Sequence, residues 1–384
     1  MQDVIGLQAV GILPADWLAA LTGALAAAGA RLESLQQQGL DNSAAVTLLV
    51  SPASAGAALG QALQALGLQV APLAQPAPET GEAHVLTLMG RSLADLPLTR
   101  LAALCREQGL NIHAIRALSE PGATTRAALE LRVTGEPHEP QALRAGLLAL
   151  AQEGQADIGW QADDLQRQHR RLAVFDMDST LIQAEVIDEL AKAAGIGERV
   201  AAITERAMRG EIDFRASFTE RMALLQGLSE EVLEDIGAGL RLTEGAERLF
   251  AELKRLGYKT AILSGGFTYF ARQVQARLGI DYVYANELEI VDGKLTGLAI
   301  EPIVDAQRKA DLLQELASRE GLTLAQTIAV GDGANDLPML ALAGLGVAFR
   351  AKPLVRQSAR QSVSVLGLDG VLYLLGVEDR HTQG

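Results

Sequence analysis

A single cysteine, Cys105, stands in a chain of 384 residues, so no disulfide can form within it, which suits a reducing compartment. Cys105 lies in the apolar stretch Leu101-Ala-Ala-Leu-Cys105 and reads as a buried, inert thiol. Aromatic residues are scarce at 4%, against 49% hydrophobic overall, so the cores must be built from Leu, Ala and Val. Basic residues are in deficit: 33 Lys and Arg against 47 Asp and Glu give a net charge of −14. That balance excludes general binding to nucleic acid or to anionic membranes, which needs basic surface. The longest apolar run, Leu337–Phe349, is too short to cross about 30 Å of hydrocarbon. Met1-Gln-Asp-Val-Ile has neither the positive region nor the long apolar core of a signal peptide. These absences predict a cytoplasmic protein with neither nucleic-acid nor membrane partners. The length suggests two to three domains at about 150 residues each.

What is present centres on Leu172-Ala-Val-Phe-Asp176-Met-Asp178-Ser-Thr180-Leu. An apolar run of this kind reads as a buried strand of a parallel sheet. Two aspartates follow where the strand runs out, and open α/β sheets place their sites at those ends. Carboxylates so close together repel, so either a cation lies between them or one of them holds a proton.

Upstream, the elements come twice in the same order. The first unit, residues 1–74, reads as strand Val4–Ile12, helix Ala15–Ala28, strands Arg31–Gln37 and Ala44–Val50, helix Ala53–Leu66 and strand Leu68–Leu73. Pro52 and Gly67 punctuate its second helix. A Pro-rich stretch, 75–82, reads as a linker. The second unit, 84–162, reads as strand His84–Met89, helix Leu93–Glu107, strands Leu110–Leu118 and Arg126–Thr134, helix Pro140–Gln152 and strand Ala156–Trp160. Each βαββαβ unit predicts an antiparallel sheet with two helices on one face. His84, His113 and His138 are scattered and read as structural or solvated rather than catalytic. The units resemble ACT domains, small modules that sense amino acids, with Gly11-Ile-Leu-Pro14 and Gly90-Arg-Ser-Leu as partial counterparts of the glycine-bearing loop. Two roles stay open for them: binding L-serine or another amino acid, or joining two copies into a homodimer.

After the charged segment Asp163–Arg171, strands alternate with helices over 171–384, which predicts an α/β fold with a Rossmann-like parallel sheet. Lys259–Leu263 is a strand ending in Ser264-Gly265-Gly266, and Thr327–Val330 is one ending in Gly331-Asp332-Gly-Ala-Asn335-Asp336. Lys309 stands at the start of a helix read as Ala310–Arg319. Paired Asp, a Ser-Gly-Gly turn, a lysine and a second Asp cluster suit phosphoryl transfer through a carboxylate nucleophile. A phosphate monoester is a dianion that Asp176 could not approach without neutralisation, and Mg²⁺ prefers such oxygen ligands. Ser264 and the N–H groups of Gly265 and Gly266 would hold phosphate oxygens, and Lys309 would offset developing charge.

In order and spacing these four motifs resemble those of the haloacid dehalogenase-like phosphatases. A helical cap insertion is expected at about 183–243. Within it, Glu185-Val-Ile-Asp188, Met208-Arg-Gly210, Asp213-Phe214 and Ser217-Phe-x-x-Arg221 resemble the phosphoserine phosphatases. That resemblance implies hydrolysis of O-phospho-L-serine, the last step of L-serine biosynthesis. It implies Asp176 as nucleophile, and Asp178 as acid and then base. Mg²⁺ would be held by Asp176, Asp332 and the main-chain carbonyl of Asp178, with Asp336 in support. Glu185 would face the substrate ammonium and Arg221 its carboxylate, with Met208 and Phe214 as the apolar wall. Ser264, Gly265, Lys309 and Asn335 would contact phosphate or the attacking water. A related phosphatase or phosphotransferase acting on another small phosphomonoester is the alternative. The Asp-Gly of Glu289–Leu295 predicts a β-hairpin flanking the core sheet, and the polar tail from Glu378 is expected to fray.

Overall fold

A computed structural model describes residues 3–40, 43–73, 82–120, 122–208 and 211–382. The Pro-rich stretch read as a linker lies almost wholly outside the described residues. The chain divides into two units, 1–80 and 81–384.

In the first unit, β1 (Ile5–Gly11), α1 (Trp17–Ala27), β2 (Arg31–Leu40), β3 (Ser43–Ser51), α2 (Gly56–Ala65) and β4 (Gln69–Leu73) follow the expected order. Their strands form an antiparallel sheet in the order β2-β3-β1-β4. Alternate residues Leu7, Ala9, Val46, Leu48 and Val50 meet Leu21, Leu25, Leu59 and Leu63 from the helices, as a period of two requires. The second helix starts three residues later than expected, after a 3₁₀ turn at Ala53–Ala55.

The second unit opens with the same arrangement: β5 (Ala83–Gly90), α3 (Leu98–Glu107), β6 (Asn111–Ala117), β7 (Ala127–Thr134), α4 (Pro140–Gly154) and β8 (Asp157–Ala162), in sheet order β6-β7-β5-β8. The helix expected from Leu93 is interrupted. Leu93–Asp95 is a 3₁₀ turn capped by Ser92, and the α-helix begins only after Pro97, because proline keeps Leu96 extended. One face of this sheet carries the helices through Leu86, Leu88, Leu101, Cys105, Leu143 and Leu147. The other face is covered too. Met89, Leu118 and Ala128 share one apolar cluster with Phe175, Leu372 and Tyr373 of the α/β half. Hence β5 and β7 are buried almost throughout instead of alternating.

After α5 (Leu165–Gln168) comes β9 (Leu172–Phe175), buried at every position. Four helices follow, α6 (Val186–Ala193), α7 (Gly197–Met208), α8 (Phe214–Ala223) and α9 (Glu231–Gly239), then α10 (Ala246–Arg255). The rest alternates: β10 (Lys259–Phe267), α11 (Thr268–Leu278), β11 (Tyr282–Asn286), the hairpin β12 (Leu288–Val291) and β13 (Lys294–Ala299), α12 (Ala306–Arg319), β14 (Thr327–Gly331), α13 (Leu337–Leu342), β15 (Leu345–Phe349), α14 (Pro353–Ser358), β16 (Gln361–Val363) and α15 (Val371–Leu374). Six strands form a parallel sheet in the order β11-β10-β9-β14-β15-β16. The chain leaves β9 first to one side and later to the other, so β9 sits at the switch point where such sheets bind ligands.

Three expectations are corrected. The hairpin forms through Asp292 and Gly293, both at positive φ (49° and 73°), but it does not flank the core sheet. It pairs instead with the segment after α8, through Gly227 N–H to Leu295 O at 2.8 Å and Leu295 N–H to Leu228 O at 2.9 Å. Lys309 lies inside α12, whose N-cap is Asp305, and does not precede the helix. The tail to Thr382 is docked, not frayed: Asp379 accepts from Tyr373 Oη at 2.9 Å and from Arg248 Nη2 at 2.7 Å. Polar composition suggested solvent, but Asp379 finds a guanidinium on α10 and a phenol on α15.

Candidate active site

The register brings three strand ends level. Phe175 pairs with Ile262 on one side and with Val330 on the other, so Asp176, Leu263-Ser264 and Gly331-Asp332 emerge at one height. Asp176 N–H donates to Val330 O at 2.9 Å and continues the ladder one residue past the strand. From below, α12 projects Lys309, which is fully buried. Its Nζ lies 2.8 Å from Asp176 Oδ1 and 2.7 Å from Asp336 Oδ1. Thr180 Oγ1 donates to Asp332 Oδ1 at 3.1 Å and links the first motif to the fourth.

Burial dominates the electrostatics. It pushes the Asp176 carboxyl up to about 8, aided by Asp336 and opposed by Lys309. It likewise lifts Asp332 to about 6, with Asp336 and Glu185 adding to it. Asp178 is raised well above the carboxylate range by burial and by Glu185 and Asp176, although Val186 N–H donates to its Oδ1 at 3.2 Å. Burial works against the charge on Lys309, but Asp176 and Asp336 outweigh it and hold the ammonium ionised. One lysine therefore faces a surplus of carboxylate.

Oxygens of Asp176, Asp332 and Asp336 all lie within 4.8 Å of one another, and the Lys309 ammonium at Asp176 Oδ1 offsets only one of their charges. A cluster of three carboxylates, hard oxygen donors, fits a hard divalent cation. Asp336 is already engaged at both oxygens, by Lys309 Nζ and by Gly333 N–H at 3.0 Å, which suits a supporting part.

The Ser264-Gly265-Gly266 turn departs in one respect from the expected donors. Gly266 N–H donates to Ser264 Oγ at 2.9 Å, so the loop is held by its own hydroxyl, whose proton stays free to donate. A Cβ on Gly266 would strike Asp178 Oδ2, which explains why that position carries glycine. Phe214, at the start of α8, lies over Gly265, where a Cβ would meet the ring at 3.2 Å. Asp213 caps that helix, its carboxylate accepting from Ala216 N–H at 2.7 Å.

Glu185 precedes α6 and accepts from Ser179 Oγ at 2.7 Å; Ser179 itself is held at φ 55°. Arg221 donates from Nε to Ser217 O at 3.3 Å. Burial lowers its pKa, while Asp188, Glu185 and Asp178 are near enough to hold its charge. Asn335 stands beside Gly333 in the fourth motif. Met208 ends α7, and its side chain lies outside the described residues.

Sequence reasoning missed Asn286. At the end of β11 and almost wholly buried, it donates through Nδ2 to Gly265 O at 2.8 Å and accepts Val304 N–H at Oδ1, also at 2.8 Å. It fixes the phosphate loop from behind. No spacing from the motifs signals it. Cys105, as expected, is buried, and its thiol is raised by that burial.

Residues 173–341 match the haloacid dehalogenase-like hydrolases, and residues 82–161 match the ACT domain. A phosphoserine phosphatase of Streptomyces coelicolor is 47% identical over 293 residues, covering 76% of this chain and 70% of its own. A solved structure of a probable phosphoserine phosphatase from Vibrio cholerae superposes with a TM-score of 0.61 at 36% identity, over 79% of this chain and 89% of that one. A structure described as a phospho-aspartyl intermediate analogue of a phosphoserine phosphatase gives 0.51 at 41% identity, over 53% of this chain and 98% of that one.

Proposed function

This chain belongs to the phosphoserine phosphatases of the haloacid dehalogenase-like class, and we propose that its site hydrolyses O-phospho-L-serine as follows. The observation that carries the reading is the contrast between two neighbouring aspartates. Asp176 faces the Lys309 ammonium at 2.8 Å, whereas Asp178 accepts, among the described residues, only Val186 N–H. Burial together with Glu185 and Asp176 raises the Asp178 carboxyl well above the carboxylate range, which favours the proton an acid needs. One is placed to act as nucleophile and the other as acid.

Asp176 attacks phosphorus through the oxygen that Lys309 leaves free, and the bond from phosphorus to the serine oxygen breaks. Asp178 gives its proton to that oxygen, so serine leaves neutral at the hydroxyl. The same carboxylate then takes a proton from water, which attacks the phosphorus of the aspartyl-phosphate. Phosphate departs and Asp176 is restored. Ser264, Gly265, Lys309 and Asn335 contact the phosphoryl oxygens or the attacking water. Glu185 takes the substrate ammonium, Arg221 its carboxylate in a bidentate fork, and Phe214 with Met208 closes the apolar side. Asp176 and Asp332, with the Asp178 carbonyl, would hold Mg²⁺, with Asp336 behind them. When bound, that ion supplies positive charge that lets a dianion approach a carboxylate.

The natural divisions are two ACT-like domains, 1–74 and 84–162, and the phosphatase domain, 171–384, with the cap at about 183–243. The ACT-like pair suits an amino acid such as L-serine, and a homodimer is the assembly we favour. Among the described residues no helix is long and apolar enough to cross a membrane. A panel of phosphomonoesters with Mg²⁺ tests the substrate. Turnover of O-phospho-L-serine should far exceed that of phosphoethanolamine and glycerol phosphate, and equal rates on all three would overturn the specificity.

A further inference from the structure

A cavity of about 730 Å³, lined by none of the four aspartates of the site, opens between α4 of the ACT domain and the α14–β16 segment of the phosphatase half. Its size suits a drug-sized ligand, since such sites span about 300–1,000 Å³. Leu147, Leu148, Ala151, Ile158 and Trp160 supply an apolar wall. The charges are one-sided. Among the described lining residues, Arg91 is paired with Glu244 at 3.1 Å, which leaves Arg144, Arg356 and Arg360 against a single carboxylate, Asp157.

That carboxylate is occupied: Asp157 accepts Ser364 N–H at 2.9 Å and Val365 N–H at 2.8 Å. Arg144 spends its Nη2 on main-chain carbonyls, at 2.7 Å from Gln357 O and 2.9 Å from Ala359 O, so its positive charge meets no acid there. Arg356 Nε is buried without a hydrogen-bond partner, although Asp157 is near enough to act on its charge. A buried guanidinium donor left unpaired costs free energy that an incoming anion would recover. In a chain of net charge −14, a cationic cavity with an apolar wall is the reverse of the average surface.

We propose that this cavity is a binding site for a small amphipathic organic anion, an apolar body carrying one carboxylate or phosphonate-like group. The anion pairs with Arg356, and the body lies against α4 and Trp160. The site depends on both domains being present, because α4 and β16 come from either side of it. The walls meet where Gln361 Nε2 and Oε1 pair with Trp160 O and N–H, the latter at 2.9 Å. A ligand here would tighten the joint between the ACT domain and the edge of the catalytic sheet. The proposal does not rest on the phosphatase chemistry.

Trp160 offers the test, since the only other tryptophan is Trp17. In full-length protein carrying Trp17→Phe, the fluorescence of Trp160 is titrated with 4-phenylbutyrate, with benzylphosphonate and with the neutral 4-phenylbutyramide. Saturable binding of at least one anion is expected, about tenfold tighter than the amide, as loss of one charge-assisted contact implies. Arg356→Gln should weaken the anion about tenfold, and Ala151→Phe, which fills the cavity, should abolish binding with phosphatase activity unchanged. Absence of saturation with both anions, equal affinity for the amide, or unchanged affinity in both variants overturns the proposal.

Discussion

Lys309 Nζ lies 2.8 Å from Asp176 Oδ1, both fully enclosed, and the same ammonium reaches Asp336 Oδ1 at 2.7 Å. Lys309 thus joins two buried carboxylates through one ammonium. Replacing it with Met in the presence of a chelator should lower the unfolding free energy by about 3–5 kcal/mol, the usual penalty for stranding a buried charge. Asp176→Asn leaves the Lys309–Asp336 pair intact and should stay within about 1 kcal/mol of wild type. It should nevertheless cut phosphoserine turnover by about 10⁴-fold or more. Urea titrations and steady-state rates on the two variants check the pair, and retained turnover in Asp176→Asn would exclude it as nucleophile.

Arg221 is half-buried, with its charge supported by Asp188, Glu185 and Asp178. Arg221→Ala should reduce kcat/KM for phosphoserine by about 30- to 100-fold, the worth of a bidentate contact of about 2–3 kcal/mol. Phosphoethanolamine, which has no carboxylate, should be largely spared. Equal losses on the two substrates would contradict the assignment.

Asn286 is a positioning residue for the phosphate loop, through its bonds to Gly265 O and Val304 N–H. Asn286→Ala orphans a buried carbonyl and a buried amide, so stability should fall by about 1–3 kcal/mol. A merely structural residue would stop there. Here kcat should also fall, while Asn286→Asp, which keeps the acceptor for Val304 but not the donor to Gly265, should restore stability more than kcat.

Metal removal should be reversible. The buried Asp176–Asp332–Asp336 set repels itself, and Lys309 offsets only part of the charge. Dialysis against a chelator should abolish turnover, and Mg²⁺ should restore it and raise the melting temperature. Full activity after exhaustive chelation would count against a metal-dependent site.

Asp157, at the joint between the ACT domain and β16, is 5% exposed, and burial pushes its carboxyl up to about 6 from 3.8 despite its backbone donors. Between those values the folded chain binds a proton that the unfolded chain has released. The contribution of Asp157 to stability is therefore fully present below 3.8 and is lost as pH rises through about 6. Against an Asp157→Asn reference, wild type should lose ground across that window and run parallel to it above. A constant difference from pH 4 to pH 7 would show that the carboxyl titrates normally.

Much of this was legible in the residues alone. The two βαββαβ units follow from apolar alternation and glycine punctuation, which act over a few residues at a time. The strand-end aspartates were visible for a similar reason: an all-apolar run ending in charge has few other readings. Where local signals competed, the reading slipped. Pro97 divides a helix that the apolar pattern alone would run through, and Asp305 caps α12 four residues ahead of Lys309.

By itself, then, the order of residues determined the elements, the four phosphatase motifs and the chemistry those side chain types suit. Only the tertiary structure decided which groups are buried together, and burial governs the charges. It raises the Asp178 carboxyl beside Asp176, recruits Asn286 from the end of β11 to hold Gly265, and buries the second face of the ACT sheet against α15. It also docks the polar tail and opens an arginine-lined cavity between two domains. These outcomes rest on contacts between residues far apart in the chain, where desolvation and pairing depend on three-dimensional neighbours that no local pattern encodes.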